Sequence, residues 1–173
     1  MILKTVLSIM VLISCAYFGH LLKMKSDMHL NDLNNLLLCL QVLETEIRYS
    51  MNDIPDAAIR VSKIASGINK KIFELFAENI NKFSDVPLSE IWTNTVNKIC
   101  TDSIYGKNDI DALNTFGYVL GSGDLDTQLK NIEIFRVKTE NCINDLKNEK
   151  EKKDPIYSKL FFYLGILAVI IVV

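Results

Sequence analysis

Residues 29–50 read "HLNDLNNLLLCLQVLETEIRYS", and the placement of their apolar residues decides the fold class. Leu30, Leu33, Leu37, Leu40, Leu43 and Ile47 recur at intervals of three and four. That spacing draws one apolar stripe along an α-helix of about 3.6 residues per turn, and it does not fit the alternation of a half-buried strand.

The same period continues downstream. After "MNDI", Pro55 suits the first turn of a second helix, whose Ala58, Val61 and Ala65 run on to Gly67. A third helix, "INKKIFELFAENINKF", aligns Ile68, Ile72, Phe76, Ile80 and Phe83. "SDVP" stops it, and Leu88, Ile91, Trp92, Thr95, Val96 and Ile99 line a fourth. "TDSIYGKN" reads as a loop, followed by a short helix marked by Ile110, Leu113, Phe116, Gly117 and Leu120. Asp124 then caps a long sixth helix carrying Leu125, Leu129, Ile132, Phe135, Thr139, Cys142 and Leu146. No stretch alternates convincingly as a strand. Short connections set neighbouring helices antiparallel, so residues 26–154 are expected to form an all-α, antiparallel six-helix bundle, long enough to bury a core.

Both ends are apolar. "MILKTVLSIMVLISCAYFGHLL" (1–22) holds one lysine and one histidine, and the tail from 156 to 173 has no charge after Lys159. Each is read as a transmembrane helix, although Leu160–Val173 reaches only about 21 Å against a hydrocarbon thickness of about 30 Å. Lys23 and Lys25 follow the first segment and Lys147, Lys150, Lys152, Lys153 and Lys159 precede or open the second, which by the positive-inside rule places the middle of the chain in the cytoplasm. Pro155 is expected to kink or end the sixth helix at the membrane surface. "LISC" ahead of the apolar run also resembles a lipobox, so an extracytoplasmic lipoprotein or sensor domain lipidated at Cys15 is the alternative. Cys15, Cys39, Cys100 and Cys142 are widely spaced in helical contexts, which favours free buried thiols over a disulfide frame.

A search for chemistry finds little. The two histidines, His20 and His29, stand without cysteine pairs at metal-ligand spacing. "GSGD" at 121–124 lacks the strand and third glycine of a dinucleotide fingerprint, and there is no Gly-x-Ser-x-Gly elbow. The net charge of -2 makes no electrostatic case for nucleic acid. No catalytic residue, cofactor, metal or small-molecule substrate is expected.

Five stretches carry a family resemblance: "LQVLETEIRYS" with "IPDAAIRVSKIA", "IWTNTV", "FGYVLGSGDLDTQLKNIEI" and "YSKLFFYLGILAVIIVV". Together they resemble the stage III sporulation protein AB family of endospore-forming bacteria, over essentially the whole chain. The most specific part is the string Phe116, Gly117, Leu120, Gly121, Asp124 and Gln128. The resemblance implies a domain similar to the helical cytoplasmic domain of type II secretion F proteins. It also implies a place in the channel that links mother cell and forespore, alongside a secretion-type ATPase and other channel proteins, in the mother-cell membrane. The expected function is thus a membrane-anchored, noncatalytic platform.

Particular residues then take competing readings. Gly117 and Gly121, four apart, admit close helix packing, or Gly121 is a helix C-cap. Asp124 and Asp126 are explained by capping and dipole complementarity, and Gln128 by a hydrogen bond to the loop; all three are also candidate partner contacts. Glu44 and Glu46 flank the Leu43 and Ile47 stripe, where a pair from Glu44 to Arg48 competes with a partner contact, which the resemblance favours. Trp92 is a core residue or a partner anchor.

Overall fold

A computed structural model describes the backbone of residues 2–49, 54–83, 85–101, 103–121 and 124–172. Side chains are described at 10, 13–14 and 17–18, through the same segments from 19 to 152, and at 163. Among the described residues there are six helices: α1 (Ile2–Tyr49), α2 (Ile54–Ile64), α3 (Gly67–Lys82), α4 (Leu88–Cys100), α5 (Lys107–Val119) and α6 (Leu125–Val172). They fall into two units, one made of residues 31–143, the other of 1–30 with 144–173.

Residues 31–143 form the all-α bundle that the periodicity implies. Leu33, Leu40, Leu43 and Ile47 of the α1 stripe are buried, joined by Leu36 and Cys39. In α3 the buried set includes Phe73 and Asn69 besides Ile72, Phe76 and Ile80, whereas Phe83 is exposed because the helix has ended before it.

Trp92 organises this core. Its indole meets Phe73, Phe76 and Phe116 edge to face, with centroids 5.5, 4.9 and 5.5 Å away, a geometry that aligns the positive ring edge with the negative face. Phe116 in turn stacks on Phe135 at 4.7 Å, so α3, α4, α5 and α6 share one aromatic cluster. The buried indole N–H donates to the Leu113 carbonyl at 2.8 Å, which removes the cost of burying an unpaired donor. Trp92 is therefore core and not an exposed anchor.

The two glycines of the α5 end do different jobs. A Cβ on Gly117 would lie 2.2 Å from Trp92 Cδ1, so the missing side chain makes room for an indole and not for a helix backbone. Gly121 has φ +76 and follows the turn in which Leu120 N donates to the Phe116 and Gly117 carbonyls, the left-handed stop of a helix C-terminus.

A second, polar fastening sits where the α4–α5 loop crosses the bundle. Tyr105, read as part of a plain loop, is buried. Its hydroxyl reaches Asn69 Oδ1 at 2.9 Å and the Asp32 carbonyl at 3.2 Å. Asn69 Nδ2 donates to the Asp32 carbonyl at 2.7 Å and to Asn35 Oδ1 at 3.2 Å, and Asn35 Oδ1 also accepts from Ser66 N. Burial drives the Tyr105 hydroxyl far above the ordinary tyrosine range, so it stays a neutral donor. The network ties α1, the start of α3 and the loop together.

In the unit of 1–30 with 144–173, Asp27 and Lys150 form a hydrogen-bonded ion pair between α1 and α6. The bond from Lys150 holds the Asp27 carboxyl below the usual carboxylate range.

The termini require corrections. Among the described residues no helix is long and apolar enough to cross a membrane, which overturns the transmembrane helices expected at 1–22 and 156–173. With them fall the membrane as a partner, membrane anchoring and placement in the mother-cell membrane. The apolar segments are instead the ends of two helices of 48 residues each. Beyond Phe18, α1 runs within two and a half turns into His20, Lys23, Lys25 and Asp27. The apolar end of α6 alone is about 21 Å long, less than a bilayer core needs. The side chains at 15–16 and 153–162, which include Cys15, Pro155 and Lys159, lie outside the described residues. The α6 backbone continues through position 155 and does not end there.

Filling the space beside Trp92 tests the core. Gly117→Ala is expected to cost roughly 1–3 kcal/mol through overpacking, measured as a lowered urea midpoint followed by the fluorescence of Trp92, the single tryptophan.

Candidate docking surface beside the α1 stripe

The residues that the sequence singled out sit at three places. Glu44 and Glu46, two apart on α1, are separated by about 200° around a helix and so emerge on opposite flanks of the buried Leu43 and Ile47 line. Glu44 faces α6 and its own helix: Arg48 Nη2 donates to it at 2.8 Å, and Arg136 Nε stands 4.0 Å away. Arg136 also meets Glu140 at 3.2 Å and Glu133 at 3.9 Å, so one guanidinium collects three carboxylates and joins α6 to α1. The nearby Glu44 carboxylate raises the Arg48 pKa further above its ordinary value. Glu46 faces α2, where Arg60 lies 3.3 Å from it.

The Glu46 flank opens into a groove of about 590 Å³, lined by Val42, Glu46, Asp56, Ile59, Arg60, Lys63 and Ile64. Its α2 wall follows from helical spacing. Residues 56, 59, 60, 63 and 64 share one face, opposite the buried Ala57, Ala58 and Val61. The open face thus alternates apolar and charged side chains along its length.

The third place is the start of α6. Asp124 Oδ1 accepts from Thr127 N at 3.1 Å, which satisfies one of the first-turn donors and makes Asp124 the N-cap. The hydrogen bonds from Thr127 hold the Asp124 carboxyl below its ordinary range. Asp126 is exposed in the first turn, and Gln128 N donates to the Asp124 carbonyl at 3.0 Å. Gln128 stands eight residues, about 12 Å of helix, from Arg136. Asp124, Asp126 and Gln128 therefore form a patch apart from the Glu44 pair.

Arg60, Arg136 and the α2 residues Asp56, Ile59 and Lys63 were not singled out from sequence. The polar face of α2 was legible from its period. The pairings of Arg60 with Glu46 and of Arg136 with Glu44 join residues far apart in the chain, which local spacing does not encode.

Nothing in this arrangement is poised for reaction. Among the described residues no group of three or more His, Cys, Asp or Glu could hold a metal ion. Cys39 is free and buried, and desolvation pushes its thiol up to about 12, so it carries almost no thiolate near neutrality. Cys100, also free and buried, is shifted upward for the same reason.

A family model described as stage III sporulation protein AB matches residues 4–173. The chain belongs to that family. A relative of that name from Bacillus subtilis (strain 168) is 24% identical over 139 residues, 80% of this chain and 81% of its own length. A solved structure of a stage III sporulation protein AB superposes with a TM-score of 0.64 at 24% identity, covering 70% of this chain and 94% of that one. At this identity the likeness speaks for the fold.

Two measurements follow from these environments. Alkylation of native protein, mapped by mass spectrometry, is expected to modify the half-buried Cys142 first, with Cys39 and Cys100 reacting as urea unfolds the bundle. The cap is tested by acid. The depressed pKa of Asp124 means its stabilisation is present above the ordinary aspartate range and is lost as pH falls through the lower folded value. Asp124→Asn, which still caps, should keep the neutral-pH urea midpoint and lessen its fall in acid, whereas Asp124→Ala should lower the midpoint at neutral pH.

Proposed function

We propose that the chain is a noncatalytic scaffold of the sporulation channel, holding other channel proteins, a secretion-type ATPase among them, against the surface of its helical bundle. Family membership supports the assembly. The observation that carries the docking reading is Glu46, held by Arg60 at the edge of an open groove. A carboxylate fixed there has a defined position before any partner arrives, which lowers the ordering cost of binding.

Within this reading the five residues have unequal parts. Glu46 contacts the partner directly. Glu44, engaged by Arg48 on its own helix and by Arg136 on α6, keeps α1 and α6 in place beside it. Asp124, Asp126 and Gln128 present a second, smaller contact at the exposed start of α6.

The experiment is capture of the ATPase-like partner from sporulating cells by the full chain. Glu46→Lys is expected to reduce capture at least tenfold while the helical circular dichroism and urea midpoint stay near wild type. Asp126→Lys should reduce it less. Undiminished capture by both variants would remove this surface from the proposal.

A further inference from the structure

We infer that the groove between α1 and α2 receives an amphipathic helix of a partner protein, one that carries an apolar stripe flanked by a basic and an acidic residue about two turns apart. This deepens the docking reading above and rests on it.

The occupant's chemistry follows from the walls. Val42 on α1 and Ile59 and Ile64 on α2 supply the apolar part of the lining, and Leu38, one turn before Val42, extends the same track while 45% exposed. Glu46 and Arg60 pair with each other in the middle and largely cancel. Asp56 in the first turn of α2 and Lys63 in its last turn are both exposed, and neither has an ion-pair partner among the described residues. The groove therefore runs from an acidic end to a basic end.

Asp56 and Lys63 are seven residues apart, about 10 Å along the helix axis. The same rise separates residues i and i+7 of a second helix laid along the groove, so a basic and an acidic side chain at that spacing meet both ends. Apolar residues at i, i+3, i+4 and i+7 would cover the track from Leu38 to Ile59. Charges standing at opposite ends suit a rod-like occupant better than a compact small molecule, whose polar contacts converge. Among the described residues there is no strand, hence no sheet edge to which an extended peptide could add.

The probe is a fluorescein-labelled, helix-favouring peptide with leucines at i, i+3, i+4 and i+7 and one lysine and one glutamate seven residues apart. A control peptide carries glutamate at both charged positions. By fluorescence anisotropy the full chain is expected to bind the mixed peptide roughly tenfold more tightly than the doubly acidic one, because the control exchanges the ion pair at the Asp56 end for a like-charge contact and keeps the one at Lys63. Asp56→Lys, which makes both ends basic, should reverse that order. Ile59→Ser, with unchanged circular dichroism, should weaken both peptides.

Failure of the folded chain to bind the mixed peptide, or equal affinity for the two peptides in wild type and Asp56→Lys, would overturn the inference. So would a concentration-dependent dimer abolished by Ile59→Ser, which would assign the groove to a second copy. If the peptides fail while Glu46→Lys still loses ATPase capture, the helical occupant is wrong and the scaffold reading stands. If the peptides discriminate while capture is unaffected, the groove is right and the ATPase is not its partner.

Discussion

The bundle depends on a close approach between one indole and one missing side chain. Trp92 fits between α3, α4 and α5 because Gly117 offers no Cβ to the ring. Once seated, the indole is held from several directions: the Leu113 carbonyl accepts its N–H, and three phenylalanine rings contact it. Through Phe116 and Phe135 the constraint reaches α6. Edge-to-face pairs contribute about 0.5–1.5 kcal/mol each beyond the burial of their surface, and each depends on the position of the others. The cluster acts as a unit and sets the spacing of four helices.

The polar fastening at Tyr105 does the corresponding work for α1. Asn69 is fully buried yet engages both Asp32 and Asn35, and the tyrosine hydroxyl completes it. Buried polar groups are costly when unpaired, so a network of this kind favours the one arrangement in which every member finds a partner. Gly67, at φ +57, stands against the Asp32 carboxylate where a side chain would collide. With α1 held in this way, its two glutamates acquire fixed directions, Glu44 toward Arg136 and Glu46 toward Arg60. The same core packing that buries Leu43 and Ile47 thereby spaces the charged flanks on either side of them.

Much of this was legible residue by residue. The stripe from Leu33 to Ile47, the Asp124 cap and the core position of Trp92 follow from period or capping, whereas spacing alone left Gly121 open between close helix packing and the helix stop that its φ of +76 shows. The register of α3 was read too narrowly: Phe73 and Asn69 lie next to the expected positions and are buried because neighbours cover more than one line of the helix. The reading of the termini failed for a different reason. Hydropathy counted in short segments suggested two membrane spans, whereas the described residues contain no helix of the required length and apolarity. Their apolar ends belong to long helices that also carry charge.

By itself the sequence determined the helical fold class, the ends of most helices and the absence of recognisable catalytic motifs, since period, caps and motif spacing are local properties of the chain. Only the tertiary structure decided that Glu46 meets Arg60, that Arg136 gathers Glu44, Glu133 and Glu140, and that α1 and α2 leave a groove with opposite charges at its ends. Those outcomes depend on how far apart packed helices stand and how they are rotated. Distance and rotation arise from contacts between residues remote in sequence, which no local pattern records.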